Sequence, residues 1–144
     1  MVISADTSFL YSLYAHDVHS ADAQQLANGL KTSLTIGPLH LHELRNAIRM
    51  AVFRKEITAA QRQAVLTTID ADMTAAVLIE IPLQWSEVLA AAERLSAAHT
   101  EMIGTRAMDI LHVAVAMVAG AKEFYTFDAR QAALAKAAGL HVKP

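Results

Sequence analysis

The chain has 144 residues, 54% of them hydrophobic, with no cysteine and a net charge of -2 from twelve Lys and Arg against fourteen Asp and Glu. That length fits one domain, 1–144, with a sizeable core, and the apolar content excludes a disordered chain. The missing cysteines exclude disulfides and thiolate metal sites, which fits a reducing, cytoplasmic setting, and the charge balance excludes a strongly basic, charge-driven nucleic-acid binder.

Met1 to Ala5 reads as a buried strand that runs straight into Asp6, so no signal peptide is read at this end. Asp6-Thr7-Ser8 supplies cap types for a helix over Phe9 to Ala15. Ser20 is placed to cap a second helix, Ala21 to Gly29, and Ser33 to Ile36 reads as a second strand. Gly37-Pro38 then opens a helix to about Phe53, because Pro is favourable in a first turn. Thr58 precedes a helix from Ala59 to Asp72, and Val77 to Ile81 reads as a strand closed by Pro82. A helix from near Ser86 to His99 follows. Thr105 is placed to cap the next helix, Arg106 to Ala119, with Gly120 at its end. Glu123 to Phe127 reads as a strand, Ala129 to Ala138 as a short helix, and Leu140 to Val142 as an edge strand. The longest apolar stretch, Ile110 to Ala121, falls short of the roughly 18 residues that span a membrane, so no membrane role is expected. Strands alternating with helices predict an α/β domain with a central, mostly parallel sheet flanked by helices.

Four acidic residues stand at the edges of these apolar segments. Asp6 ends the first strand, Glu43 lies early in the Pro38 helix, Asp109 sits inside Met108-Ile110-Leu111-Val113, and Asp128 ends Phe124-Tyr125-Thr126-Phe127. An ionised carboxylate beside buried apolar surface costs several kcal/mol unless it is paired or binds a metal. In a parallel sheet, ligands gather outside the carboxyl ends of the strands, where all four can converge. A divalent cation held by oxygen ligands satisfies them together. Asp6 and Asp128 taken singly read first as helix caps, and only the ordered set of four favours metal binding. With the four set aside, twelve Lys and Arg face ten acidic residues, a balance of +2, and with its cations bound the site would no longer repel phosphate.

The segments around these residues resemble the motifs of PIN-domain nucleases, and in particular of VapC-type toxins from bacterial toxin–antitoxin pairs. They are Ile3-Ser4-Ala5-Asp6-Thr7-Ser8-Phe9, Glu43-Leu44-Arg45-Asn46-Ala47, Arg106-Ala107-Met108-Asp109-Ile110-Leu111-His112, and Phe124-Tyr125-Thr126-Phe127-Asp128. Each is short, but they occur in the family's order across essentially the whole chain. The resemblance implies an α/β sandwich, an acidic site binding Mg²⁺ or Mn²⁺, and metal-dependent hydrolysis of RNA. It also implies a homodimer and a VapB-like antitoxin that occupies the active-site groove. The catalytic roles carry over to Asp6, Glu43, Asp109 and Asp128. Asp6 and Asp109 are expected as direct metal ligands and Asp128 as a ligand or water-mediated contact. Glu43 is expected to bind a second metal or to orient the attacking water.

Supporting residues follow from spacing. Thr126, two before Asp128, reads either as a contact to substrate or as an ordinary β-branched strand residue. Asn46 shares a helix face with Glu43, and Arg106 precedes Asp109 by three, placed to pair with the carboxylates or to grip phosphate. Arg45 and Arg49, one turn apart, are candidate RNA contacts beside Glu43. Ile48, Met50, Val52, Phe53 and Ile57 suggest that part of this segment meets a partner. The Ala-rich helix around Leu89 to Ala98 reads as core. None of the seven histidines is assigned a catalytic role, since His40 and His42 point apart and no His-Glu-x-x-His is present.

Other classes fit less well. A haloacid-dehalogenase-type phosphatase needs an Asp where Ser8 stands, and a receiver-type phosphorylation domain needs an acidic pair absent before Asp6. The remaining alternative is a catalytically inactive PIN-like module that binds RNA or protein.

Overall fold

Residues 1–144 are described by a computed structural model. Five three-residue strands form one sheet: β1 (Ile3–Ala5), β2 (Leu34–Ile36), β3 (Leu78–Glu80), β4 (Glu123–Tyr125) and β5 (His141–Lys143). Their order is β3-β2-β1-β4-β5 and every pairing is parallel, so the expected "mostly parallel" sheet is wholly parallel. Seven helices connect them: α1 (Thr7–Tyr14), α2 (Ser20–Asn28), α3 (Pro38–Phe53), α4 (Ala59–Thr74), α5 (Trp85–Ile103), α6 (Ala107–Val118) and α7 (Ala129–Ala137).

The chain steps outward from β1 to β3, then returns to place β4 on the other side of β1. This reversal opens a crevice at the carboxyl ends of β1 and β4, the place where such sheets bind ligands. In register, Ile3 pairs with Leu34 and Glu123, and Ala5 with Tyr125. Alternation along β1 sends Ile3 and Ala5 into one core with Phe9, Leu44 and Ile48. Phe124 of β4 enters a second core with Val88, Val113 and Leu134. Burying such side chains contributes roughly 1.5–3 kcal/mol each.

Helix ends depart from expectation on α2, α5 and α6, whereas α1 is capped from within the expected Asp6-Thr7-Ser8 run. α1 is capped by Asp6 itself, which accepts from the Phe9 amide. Ser20 is the first residue of α2, not its cap, and its hydroxyl accepts from the Asp17 amide at 2.9 Å. Arg106, not Thr105, stands at the N-cap of α6, because the Thr105 hydroxyl is engaged with Thr100 Oγ1 at 3.1 Å. Thr58 does cap α4, with Gln61 reciprocating. α5 runs past His99 to Gly104, whose φ of +72° supplies the left-handed stop.

The apolar positions also sort differently. Ile48 is fully buried and Ile57 packs on the first core, leaving Met50 and Phe53 exposed on α3. On α5, Val88, Ala91 and Leu95 are core while Leu89 faces outward. No helix is long and apolar enough to cross a membrane.

Candidate active site

Asp6 directly follows β1 and is completely buried. Its Oδ1 accepts from Ser8 Oγ at 2.7 Å and from the Phe9 amide at 2.9 Å, and its Oδ2 accepts from Thr126 Oγ1 at 2.5 Å. Burial raises its pKa above the usual carboxylate range, and the bonds from Thr126, Phe9 and Ser8 pull it back. Thr126 follows the end of β4, so the β1–β4 pairing brings these two residues together. The Thr126 oxygen also accepts the Asp128 amide at 2.9 Å. Asp128 caps α7 by accepting the Arg130 and Gln131 amides. The cap reading of Asp6 and Asp128 is therefore true of both, and each also stands at the crevice.

Asp109, in the first turn of α6, is 5% exposed although charged. Arg106 Nε donates to its Oδ2 at 3.0 Å, and Gln131 Nε2 donates to its Oδ1 at 3.2 Å. The same guanidinium reaches Asp128 Oδ2 at 3.9 Å, and this neighbourhood raises the Arg106 pKa, chiefly through the Asp109 bond. Glu43, from α3, meets His112 Nε2 at 2.6 Å. That bond holds the Glu43 carboxyl below its usual range despite partial burial. Beneath it His112 packs on His40 with ring centroids 4.2 Å apart. His40 Nδ1 accepts the Gly37 amide, and burial drives its pKa far down, so it is neutral and carries its proton on Nε2.

Glu43, Asp109 and Asp128 line one open cleft of about 410 Å³, with Arg106, Thr7 and Gln131 on its walls. Asp6 lies beneath this cleft, tied to it through Ser8 and Thr126. A hollow of similar size, about 420 Å³, lies between α2 and β5 and holds none of the four carboxylates. No three acidic or histidine side chains stand close enough to cage an ion unaided. Asp6 is turned toward its own donors, and Arg106 occupies the space between Asp109 and Asp128.

The donor set still suits a hard divalent cation. Around Arg106 the cleft presents carboxylate, hydroxyl and amide oxygens, and one of them, the buried Gln131 Oε1, lacks any partner. The Arg106 guanidinium already places a positive charge between two carboxylates, and its side chain is 68% exposed, free to swing away.

The other expected residues are placed as follows. Asn46 is exposed and lies with Glu43 and Arg54 along an adjoining hollow. Arg45 lies about 200° around α3 from Glu43 and pairs with Asp70 of α4 at 2.7 Å. Arg49 is exposed. Three participants escaped the sequence reading. Gln131 carried a signal, since Asp-x-x-Gln is a capping pattern whose Gln here turns to Asp109 instead. His112 was in reach by its spacing from Asp109, but its contact with Glu43 joins residues 69 apart. His19, which stacks on Phe127 at the cleft, gave none.

The PIN domain signature matches residues 3–137. The chain belongs to the PIN-domain family. Solved structures share this PIN fold. VapC20 from Mycobacterium tuberculosis, a sarcin-ricin-loop-cleaving toxin, superposes with a TM-score of 0.70 at 22% identity, covering 99% of both chains. VapBC2 from Rickettsia felis, bound to a DNA fragment from its promoter, gives 0.63 at 16% identity, over 99% of this chain and 98% of that one. FitAcB from Neisseria gonorrhoeae gives 0.65 at 12% identity, over 99% and 97%. No curated protein matches the sequence significantly.

Proposed function

We propose that this PIN domain is a divalent-metal-dependent endoribonuclease of the VapC type, the toxin of a toxin–antitoxin pair. The observation that carries the reading is the cleft at the carboxyl ends of β1 and β4. There Glu43, Asp109 and Asp128 share a cleft with the Thr7 hydroxyl and the unpartnered Gln131 oxygen around a solvent-exposed guanidinium. Support comes also from the shared fold of VapC20, whose described action is cleavage of the sarcin-ricin loop.

Asp6, Asp109 and Asp128 would hold Mg²⁺ or Mn²⁺, with Thr7 and Gln131 as further oxygen donors. A bound divalent cation would neutralise the scissile phosphodiester and lower the pKa of water. Glu43, kept ionised by His112, is then placed to accept a proton from the attacking water and to orient it. Arg106, released from Asp109, is free to meet a phosphate oxygen. Thr126 and Ser8 keep Asp6 in one rotamer through their hydroxyls. A VapB-like antitoxin covering the cleft, a homodimer and cytoplasmic action complete the proposal. The solved VapBC2 and FitAcB structures are consistent with such pairing.

A second reading has one observation in its favour. Both oxygens of Asp6 are already taken by protein donors, as suits an inactive PIN-like module that binds RNA or protein. One experiment separates the two. Antitoxin-free protein is incubated with total RNA in Mg²⁺, Mn²⁺ or chelator, beside Asp109→Asn, and new 5′ ends are mapped. Discrete, metal-dependent cuts lost in Asp109→Asn establish the nuclease. No cuts with either metal, or equal cuts by the variant, leave the inactive module.

A further inference from the structure

Phe9, Phe127 and His19 form a three-ring stack that rises from the core to the cleft wall. Phe9 is fully buried and lies 5.6 Å from Phe127, at 17°. Phe127 lies 4.4 Å from His19, at 7°, so the outer two rings are nearly parallel. His19 and Phe127 both line the cleft that holds Glu43, Asp109 and Asp128.

Both outer rings are anchored by their backbones. The Phe127 amide donates to Ser8 Oγ at 3.1 Å, the hydroxyl that also holds Asp6. The His19 amide donates to Asp17 Oδ1 at 2.8 Å, while Asp17 Oδ2 accepts from Ser12 Oγ at 2.8 Å. The His19 side chain has no capping task, although the residue stands at the N-cap of α2. Its ring has one face on Phe127, and the residue is exposed where it lines the cleft.

An exposed, backbone-anchored aromatic face beside a phosphodiester-cleaving site is suited to one task. Unpaired bases of single-stranded RNA stack on Phe, Tyr, Trp and His, and any base offers such a face. The cleft wall is acidic, so phosphate contacts alone bind weakly there, and a contact directed at the base supplies what they lack. We propose that His19, backed by Phe127, is the stacking platform for an unpaired nucleobase of the RNA next to the scissile bond. This rests on the nuclease reading of the same cleft.

The test measures binding, which needs no metal. A fluorescein-labelled single-stranded oligoribonucleotide, and an abasic strand of the same backbone, are titrated in chelator at low salt and followed by anisotropy. Wild type should bind the base-bearing strand about tenfold more tightly than the abasic one. His19→Phe should keep that preference and His19→Ala should lose it, both with unchanged circular dichroism. An equal preference in His19→Ala, or none in wild type, overturns the platform. Cleavage of total RNA without base preference would sink the platform alone. Base preference without cleavage would keep the platform and remove the nuclease reading.

Discussion

His112 Nε2 and Glu43 Oε2 stand 2.6 Å apart, joining α6 to α3 at the wall of the cleft. The histidine is 1% exposed and the glutamate side chain 40%, so a buried donor fixes a carboxylate that still meets solvent.

That relationship sets a pH dependence. His112 holds the Glu43 pKa below its ordinary value of 4.5. A carboxyl depressed in the folded state contributes stability present above the unfolded value, and lost as pH falls through the folded one. His112→Ala should therefore be less stable than wild type at neutral pH, with a difference that shrinks in acid below about pH 4. If Glu43 works as a carboxylate, the acidic limb of the cleavage rate should move to higher pH in the same variant. A pH–rate profile beside urea melts at several pH values checks both. A limb that stays in place would assign it to another group.

Thr126→Val keeps the shape of the side chain but removes the hydroxyl that donates to Asp6 and accepts from Asp128. Asp6, already raised by burial, would lose the largest of the bonds that pull it back. Leaving a buried acceptor unpaired costs about 1–3 kcal/mol. A raised carboxyl loses stability as pH rises through its folded pKa, so the deficit of Thr126→Val should be smallest in acid and grow toward neutrality. Urea unfolding of the two proteins at two pH values measures this. A constant deficit would mean that packing at Thr126, not the Asp6 charge, sets the cost.

Arg106→Ala would leave Asp109 and Asp128 facing each other without their shared cation. The metal-free protein should melt earlier, and Mg²⁺ should raise its melting temperature by more than it raises that of wild type, because bound ligand stabilises by mass action. Thermal melts across a Mg²⁺ series decide it. Equal shifts in the two proteins would show that the guanidinium and the cation do not compete for one place.

The four carboxylates were legible because each interrupts or ends an apolar run, and an ionised group there needs a reason. The parallel sheet was legible because strands and helices alternate along the whole chain. Strand lengths were overread at both Met1–Ala5 and Glu123–Phe127. In the second case Phe127 leaves the ladder to stack between Phe9 and His19, a tertiary demand that hydrophobicity does not announce. The ends of α2 and α6 misled because a hydroxyl at the right spacing can always find another partner, as Thr105 does with Thr100. Arg45 and Glu43 are neighbours in sequence, yet two residues on a helix face apart, and Arg45 points to Asp70 on α4. Contacts such as His112 to Glu43 depend on how one helix is rotated against another, which a single sequence carries only in its sum.

The pairing of β1 with β4 also has a consequence in time. Asp6 and the hydroxyl that secures it are separated by 120 residues. At roughly 5–20 residues per second, a ribosome needs about ten seconds to travel from one to the other. Throughout that interval the growing polypeptide carries an acidic residue with no crevice around it. Whatever chemistry the crevice performs is therefore withheld from the translating ribosome until synthesis has passed Thr126, a delay written into strand order alone.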